Sequence, residues 1–370
     1  MYLANLQLLQ FKNFDDASFD FSDKINCFLG MNGEGKTNLL DAIFYLAFCK
    51  SFFNPIDAQI IKNDASFMVI QGDFKKGKNN DESEQIYCGL KKGQKKQFKR
   101  NKKQYERLAD HIGLIPLVMI SPSDIQLVME GSESRRRFVD LIISQFDHQY
   151  LNHLIQYNKA LSQRNRLLKK FMESRHFDPQ SLEIWDEQLN RYGTPIFQAR
   201  KDFLSGFLPL FQKHYDFISN KKEQVALKYI SDLDQANLDQ LLLQKRDKDR
   251  RLTYTSVGVH RDDLAFSIEG RPLKKFGSQG QQKTFLLALK LAQAEFLKNK
   301  KKLAPILLLD DIYDKLDEKR VAKLMEIIKE DWFGQVFITD THPERLPQIF
   351  DQLKSNYKTF YIQNGGLKNE

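Results

Sequence analysis

Long apolar runs are the first thing missing from this 370-residue chain. No stretch approaches eighteen consecutive apolar residues, which excludes a membrane-spanning helix. The first twenty residues carry Asn5, Lys12, Asn13, Asp15 and Asp16, so they lack the apolar core of a signal peptide. Cysteine is scarce. Cys27, Cys49 and Cys88 have no metal-ligand spacing, and an odd number does not make a disulfide framework. Together these absences imply a cytoplasmic protein. Glycine and proline thin out between residues 123 and 250, so turn signals are rare there and long helical patterns take over. Charge, by contrast, is plentiful. Charged residues make up 28% of the chain and apolar ones 41%, enough for two domains or one large composite domain. The net charge of +9 favours acidic partners, of which nucleic acid is the commonest. Between Lys91 and Arg107 nine Lys or Arg face one acid, Glu106, so one segment holds nearly the whole imbalance.

Hydrophobic periodicity orders the chain. Short strands are expected at Leu3–Leu9, Ala17–Phe21 and Ile25–Leu29. A glycine-containing loop follows, then a helix with Leu39, Leu40, Ile43, Leu46 and Ala47 on one face. Phe67–Phe74, Gln85–Leu90, Gln97–Tyr105 and Ile115–Ile120 read as strands, with a lysine-rich turn over Lys75–Glu84 and a hairpin about Gly93. The helical block from 123 to 250 contains one good strand, Gln224–Ile230. Alternation then resumes: strands Thr253–Val257 and Leu264–Ile268, helix Gln279–Lys298, strand Pro305–Leu309, helix Lys315–Lys329 and strand Gln335–Thr339. Alternating elements around a helical middle predict an α/β domain split by an insert.

Gly30, Met31, Asn32, Gly33, Glu34, Gly35, Lys36 and Thr37 fit G-x-x-x-x-G-K-[ST], with Asn38 following in the helix. Glycines let backbone N–H groups turn inward around an anion, and the helix adds its positive end. Lys36 is expected on the β- and γ-phosphates of ATP and Thr37 on Mg²⁺. The strand before and the helix after supply the required context. Far downstream, Pro305 to Leu309 is an apolar run ending in Asp310 and Asp311. The C-terminal end of a buried parallel strand is where ligands bind. Asp310 is expected to hold Mg²⁺, and Asp311 to orient or deprotonate the attacking water. By itself such a run also fits a strand followed by acidic helix caps; beside the phosphate loop it reads as the metal-holding strand. Lys36 and Asp310 lie 274 residues apart, far more than one or two βα units, so a large domain must be inserted between them.

Phe276 to Lys283 resembles the signature motif of ABC-type ATPases, with Ser278, Gln279, Gly280 and Gln281 at a helix start. In that class the motif caps the nucleotide of the opposite subunit. Asp314-Lys315-Leu316-Asp317 resembles its D-loop, in which Asp314 and Asp317 are the acids. Over nearly its full length the chain resembles the RecF family, short-armed relatives of the SMC proteins. The resemblance rests on four segments besides the ATPase motifs: Leu8 to Phe14, with Lys12 where the family often has Arg; Gly131 to Asp140, with its three arginines; Tyr157 to Asn165; and Gly258 to Asp263, with Val259 in place of a proline. It implies an ABC-type head in two parts, 1–122 and 251–370, around a mostly helical arm, 123–250. It also implies a homodimer with ATP, slow hydrolysis, binding to DNA at single-strand gaps, and action with RecO and RecR to help load RecA. The class places a polar loop on Mg²⁺, expected at Ser121 to Asp124, and a histidine after its last core strand, for which Asp340 and His342 are the candidates.

Two readings fit the basic segment. Lys95, Lys96, Lys99 and Arg100 suit a clamp on a phosphate backbone, which needs cations and no base readout. A solvated, aggregation-resistant hairpin edge has the same composition. Other functions fit the phosphate loop as well. A transporter's cytoplasmic subunit shares the ATPase motifs, but the helical insert and the basic hairpin oppose it. A small-molecule kinase shares only the phosphate loop.

Overall fold

The computed structural model describes residues 1–76, 82–221, 223–314, 318–329 and 332–368. In chain order it begins β1 (Tyr2–Phe11), β2 (Phe14–Asp20), β3 (Ile25–Leu29), α1 (Lys36–Phe48), β4 (Phe67–Lys76), β5 (Glu82–Lys91), β6 (Gln97–Arg100), β7 (Lys103–Gln104) and β8 (Leu117–Ile120). The helical middle follows: α2 (Gln126–Met129), α3 (Ser132–Ser144), α4 (His148–Ser174), α5 (Pro179–Ser219), β9 (Val225–Ile230) and α6 (Leu238–Leu252). The chain then runs through β10 (Asp263–Ile268), β11 (Arg271–Pro272), α7 (Leu273–Phe276), α8 (Gln279–Lys301), β12 (Ile306–Leu309), α9 (Glu318–Lys329), β13 (Val336–Asp340), α10 (Arg345–Gln352), β14 (Tyr357–Gln363) and β15 (Gly366–Leu367). The fold is α/β, with strand-rich parts from both ends of the chain and a long helical segment between them in sequence.

Two compact units emerge. The first joins Met1–Asp124 to Lys283–Glu370, and the second is Ile125–Gln282. Residues 251–282, expected with the C-terminal part of the head, pack with the second unit. The cause is strand pairing: β10 joins β9 antiparallel, Leu264 opposite Tyr229. The expected strand at Thr253–Val257 is absent. Side chains hold that stretch instead: Asn165 Oδ1 accepts the Thr255 N–H at 2.7 Å, and Asp249 Oδ1 accepts the Ser256 N–H at 2.9 Å. Gln97–Tyr105 divides into β6 and β7 because Asn101 and Lys102 both turn to positive φ, the geometry of a two-residue hairpin.

In the first unit, one sheet is antiparallel, in the order β2-β1-β4-β5-β6-β7, and the other runs β15-β14-β3-β13-β12-β8. β14, β3, β13, β12 and β8 are parallel neighbours, and β3, β12 and β13 are buried at every residue. Strands covered on both faces read as continuous apolar runs, which is why Pro305–Leu309 was legible. α1 packs against strands of both sheets. From Leu39 to Phe48 it is buried all round, as a helix between two layers must be. Phe21, Phe28, Phe337 and Phe360 form a buried aromatic cluster, the contacting ring centroids 4.9 to 5.9 Å apart.

The second unit is held by buried ion pairs as well as apolar packing. Arg200, on α5, binds Asp140 at 2.8 Å and Asp262 at 3.0 Å, and donates to the Val259 carbonyl at 2.7 Å. Arg164, on α4, binds Asp186 and Asp249. The arginine-rich segment turns inward on the same run. Arg135 makes two bonds to the Asp263 carboxylate and Arg136 donates to the Asp262 carbonyl, whereas exposed Arg137 pairs with Glu133.

Candidate nucleotide site

Parallel strands deliver their C-terminal ends to one edge, and three of those ends build the site. β3 opens into the loop Gly30–Gly35, β12 leads directly into Asp310, and β13 ends at Asp340. The tip of the loop is exposed, with Met31 72% accessible, while Lys36 is buried. Gly33 and Gly35 have φ of +87° and +115°, which side-chain-bearing residues rarely adopt. At Gly35 a Cβ would also stand 2.4 Å from the Asn13 amide nitrogen. The Lys36 ammonium donates back to the Gly30 carbonyl at 2.8 Å and the Met31 carbonyl at 3.0 Å. Its charge therefore spans the mouth of the loop.

Asn13 and Gly365 brace this loop, and neither was expected. Asn13 donates to the Glu34 carbonyl at 2.9 Å and accepts from the Asn38 amide at 2.8 Å. The Gly365 N–H donates to the same Glu34 carbonyl at 3.1 Å. Asn13 lies in the segment Leu8 to Phe14, but nothing in sequence ties it to residue 34. Lys12 is the other end of a buried pair with Asp41 at 2.6 Å.

The Thr37 hydroxyl donates to Asp310 Oδ1 at 2.8 Å across 273 positions of sequence. Burial pushes the Asp310 carboxyl up to about 6, against the pull of the Thr37 hydroxyl, and the neighbouring charge of Asp311 adds to the rise. A buried carboxylate that resists ionisation is relieved by a cation. A hydroxyl and a carboxylate oxygen this close are the hard donors that Mg²⁺ takes, with its remaining positions left to phosphate and water. Among the described residues no group of three His, Cys, Asp or Glu could hold a metal alone, so the cation would need the nucleotide. Asp311 follows with φ of +43°, a left-handed conformation costing about 1 kcal/mol for such a residue. Its N–H donates to the Thr339 hydroxyl at 2.8 Å. Thr339 was also missed, since one threonine in an apolar strand carries no signal.

The remaining expected residues divide. Asp340 is buried at the end of β13, its Oδ1 accepting the His342 N–H at 3.0 Å, and burial raises its pKa. His342 is exposed. Asp124 is committed elsewhere, paired with Lys290 at 2.6 Å and accepting the Ser121 N–H at 2.8 Å. Asp314 closes a short turn over 312–314, and Asp317 lies outside the described residues.

In the second unit Ser278 caps α8. The Gln281 N–H donates to its hydroxyl at 3.2 Å, and the Ser278 N–H donates to Gln281 Oε1 at 2.7 Å. This reciprocal capping box is worth about 1 kcal/mol and leaves an exposed helix N-terminus. Gln281 also bonds Glu223 at 2.9 Å, while Gln279 is exposed and Gly280 half-buried.

Of the four basic residues singled out on the hairpin, two are occupied. Lys96 binds Asp57 at 2.7 Å and the Cys49 carbonyl at 2.5 Å. Arg100 forks onto Glu84, and that bond leads the fall of the Glu84 pKa to about 2. Lys99 lies over the Tyr87 ring at 5.3 Å, and Lys95 is exposed.

Comparison with known proteins completes the description. Residues 2–366 match the RecF/RecN/SMC N-terminal domain family. The DNA replication and repair protein RecF of Flavobacterium johnsoniae is 54% identical over 98% of this chain and 100% of that protein. That of Phocaeicola vulgatus is 49% identical over 99% and 97%. A solved structure of the recombination mediator protein RecF with ATP, of the RecFOR pathway, superposes with a TM-score of 0.88 at 30% identity, covering 99% of this chain and 97% of that one.

Proposed function

This chain belongs to the RecF family, and on that premise we propose that it is an ATP-dependent, DNA-binding recombination mediator of DNA repair and replication. The observation that carries the reading is the meeting of Thr37 with Asp310 at 2.8 Å, which joins the phosphate loop to a carboxylate strand from the far end of the chain. The backbone N–H groups of Gly30 to Thr37 would hold the ATP phosphates, with Lys36 neutralising them. Thr37 and Asp310 would hold Mg²⁺, whose chemistry is charge neutralisation on the phosphates. Asp311 would orient the attacking water and accept its proton.

Ser278 to Gln281 would complete the site of a second copy, since their helix N-terminus is exposed and suits an anion. ATP then joins two copies and the dimer grips DNA, with slow hydrolysis releasing it. RecR and RecO are the proposed partners, RecA the indirect beneficiary, and the cytoplasm the location. The head is read as 1–122 and 251–370, of which 251–282 pack with the second unit, and the arm as 123–250.

The test measures DNA retention and oligomeric state with and without ATP, in wild type and Lys36→Ala. The variant loses the cation facing the phosphates and should fall to the ATP-free level in both. Wild-type ATP affinity in Lys36→Ala would overturn the assignment.

A further inference from the structure

Thr339 belongs to no motif, yet it touches both acids of the site. It lies on β13 between two strands: β12, which leads to Asp310 and Asp311, and β3, which leads to the phosphate loop. The residue is fully buried. Its hydroxyl oxygen accepts the Asp311 N–H at 2.8 Å and stands 3.1 Å from Asp310 Oδ1 and 3.3 Å from Asp311 Oδ1. A hydroxyl has one proton to give, so the two carboxylates share a single donor. Asp311 meanwhile has the left-handed φ of +43°. A residue with a Cβ adopts that conformation at a cost, and surrounding bonds help to hold it there. The N–H bond to Thr339 is such a bond, and it lies on the residue whose carboxylate must face the γ-phosphate.

We propose that Thr339 is a positioning residue for hydrolysis. Its hydroxyl clasps the Asp311 backbone in the left-handed conformation and sets the directions of the Asp310 and Asp311 carboxylates. The inference rests on the roles given above to those two acids. Asp310 has two hydroxyl partners, Thr37 and Thr339. Thr37 turning to a cation would leave Asp310 oriented by Thr339. Among the described residues no hydrogen bond joins the phosphate loop to the Thr339 hydroxyl, so nucleotide binding without metal does not depend on it.

Thr339→Val keeps the branched shape and removes the hydroxyl, and Thr339→Ser keeps the hydroxyl and removes the methyl. A fluorescent ATP analogue titrated in EDTA reads the loop, the same titration against Mg²⁺ reads Asp310, and single-turnover phosphate release reads Asp311. For Thr339→Val, affinity in EDTA should stay at the wild-type level. The Mg²⁺ midpoint should rise about tenfold and phosphate release should fall about tenfold to a hundredfold, the effect of losing a hydrogen bond to a charged group. Thr339→Ser should recover most of both. Adding Thr339→Val to Asp311→Asn should cost little further rate, because the clasp acts through Asp311. A Val variant with wild-type Mg²⁺ dependence and release rate overturns the inference, and so does a Ser variant as impaired as Val. Retained nucleotide binding in Lys36→Ala overturns the site reading beneath it, an outcome that the Thr339 variants do not produce.

Discussion

At the scale of the residue, the two acids that follow β12 occupy different environments, and that difference predicts different failures. Asp310 is buried and bonded to Thr37, with a pKa raised to about 6. Asp311 sits one residue further, half-buried in a left-handed turn. Asp310→Asn removes a negative charge from the cation's donor set, so Mg²⁺-dependent nucleotide affinity should weaken at least tenfold while metal-free binding stays. Asp311→Asn keeps the turn, since Asn tolerates the left-handed region. It removes only the proton acceptor, so ATP should remain bound, turnover should fall by about 10²–10⁴, and the ATP-bound dimer should persist. Phosphate release and light scattering read the two effects separately. Normal hydrolysis by Asp311→Asn is incompatible with its proposed role. The wild-type rate should lie below the enzyme-typical value of about 10 s⁻¹, because Asp reaches less far than the Glu usual in ABC-type ATPases.

At the scale of the element, the end of α1 is tied to the loop after the basic hairpin through His111. Its Nε2–H donates to the Leu46 carbonyl at 2.6 Å, and its Nδ1 accepts the Tyr105 hydroxyl at 3.1 Å. The Nδ1 bond requires the neutral ring, whereas the Nε2 bond is compatible with either form. Burial, with the charge of Arg100 acting in the same direction, lowers its pKa to about 4. The unfolded chain, near 6.5, therefore binds the proton first as pH falls. Stability from this group is complete above 6.5 and declines toward 4, by about 2 kcal/mol at pH 5. Urea unfolding should show that slope in wild type and a flatter one in His111→Gln; an unchanged slope would rule out this role. The hairpin gives a second prediction. Of the four residues singled out, Lys96 and Arg100 already have carboxylate partners, so Lys95 and Lys99 are the two of that set left to meet phosphates. Lys95→Gln with Lys99→Gln should reduce the salt slope of DNA binding by up to about 1.8, at about 0.9 per contact. Lys96→Gln and Arg100→Gln should lower stability instead, removing the ion pair of Asp57 and one of the two ion pairs of Glu84, which keeps Lys76. An unaltered slope in a soluble Lys95, Lys99 double variant would remove the hairpin from the DNA site.

At the scale of the whole molecule, the phosphate loop and the Ser278 helix start fall in different compact units of one chain. Ser278→Arg leaves the subunit's own loop intact, so it should bind ATP as wild type does yet fail to dimerise, because the side chain adds bulk and positive charge at an exposed helix N-terminus. Lys36→Ala fails at the loop. In a head-to-head dimer of the two variants, one composite site carries both lesions and the other neither. Mixing them should therefore restore part of the hydrolysis that each lacks alone. No recovery in mixtures shown to form heterodimers would count against shared sites.

The sequence by itself determined the α/β class, the loop Gly30–Thr37, the acidic strand end at Asp310 and Asp311, and the split of the head by a helical segment. These are local patterns, written in the glycines of one loop, the apolar run of a strand covered on both faces, and the long helical periodicity between them. Only the tertiary structure decided which distant residues meet. Thr339 reaches both acids because β13 pairs beside β12, and Asn13 and Gly365 reach Glu34 because the first hairpin and the last strands flank the phosphate loop. Thr253–Val257 fails to pair because Asn165 and Asp249 take its backbone, and Lys96 turns inward because Asp57 waits there. Apart from the bond of Asp249 to Ser256, these outcomes depend on partners tens to hundreds of residues away, and periodicity carries no information about such partners.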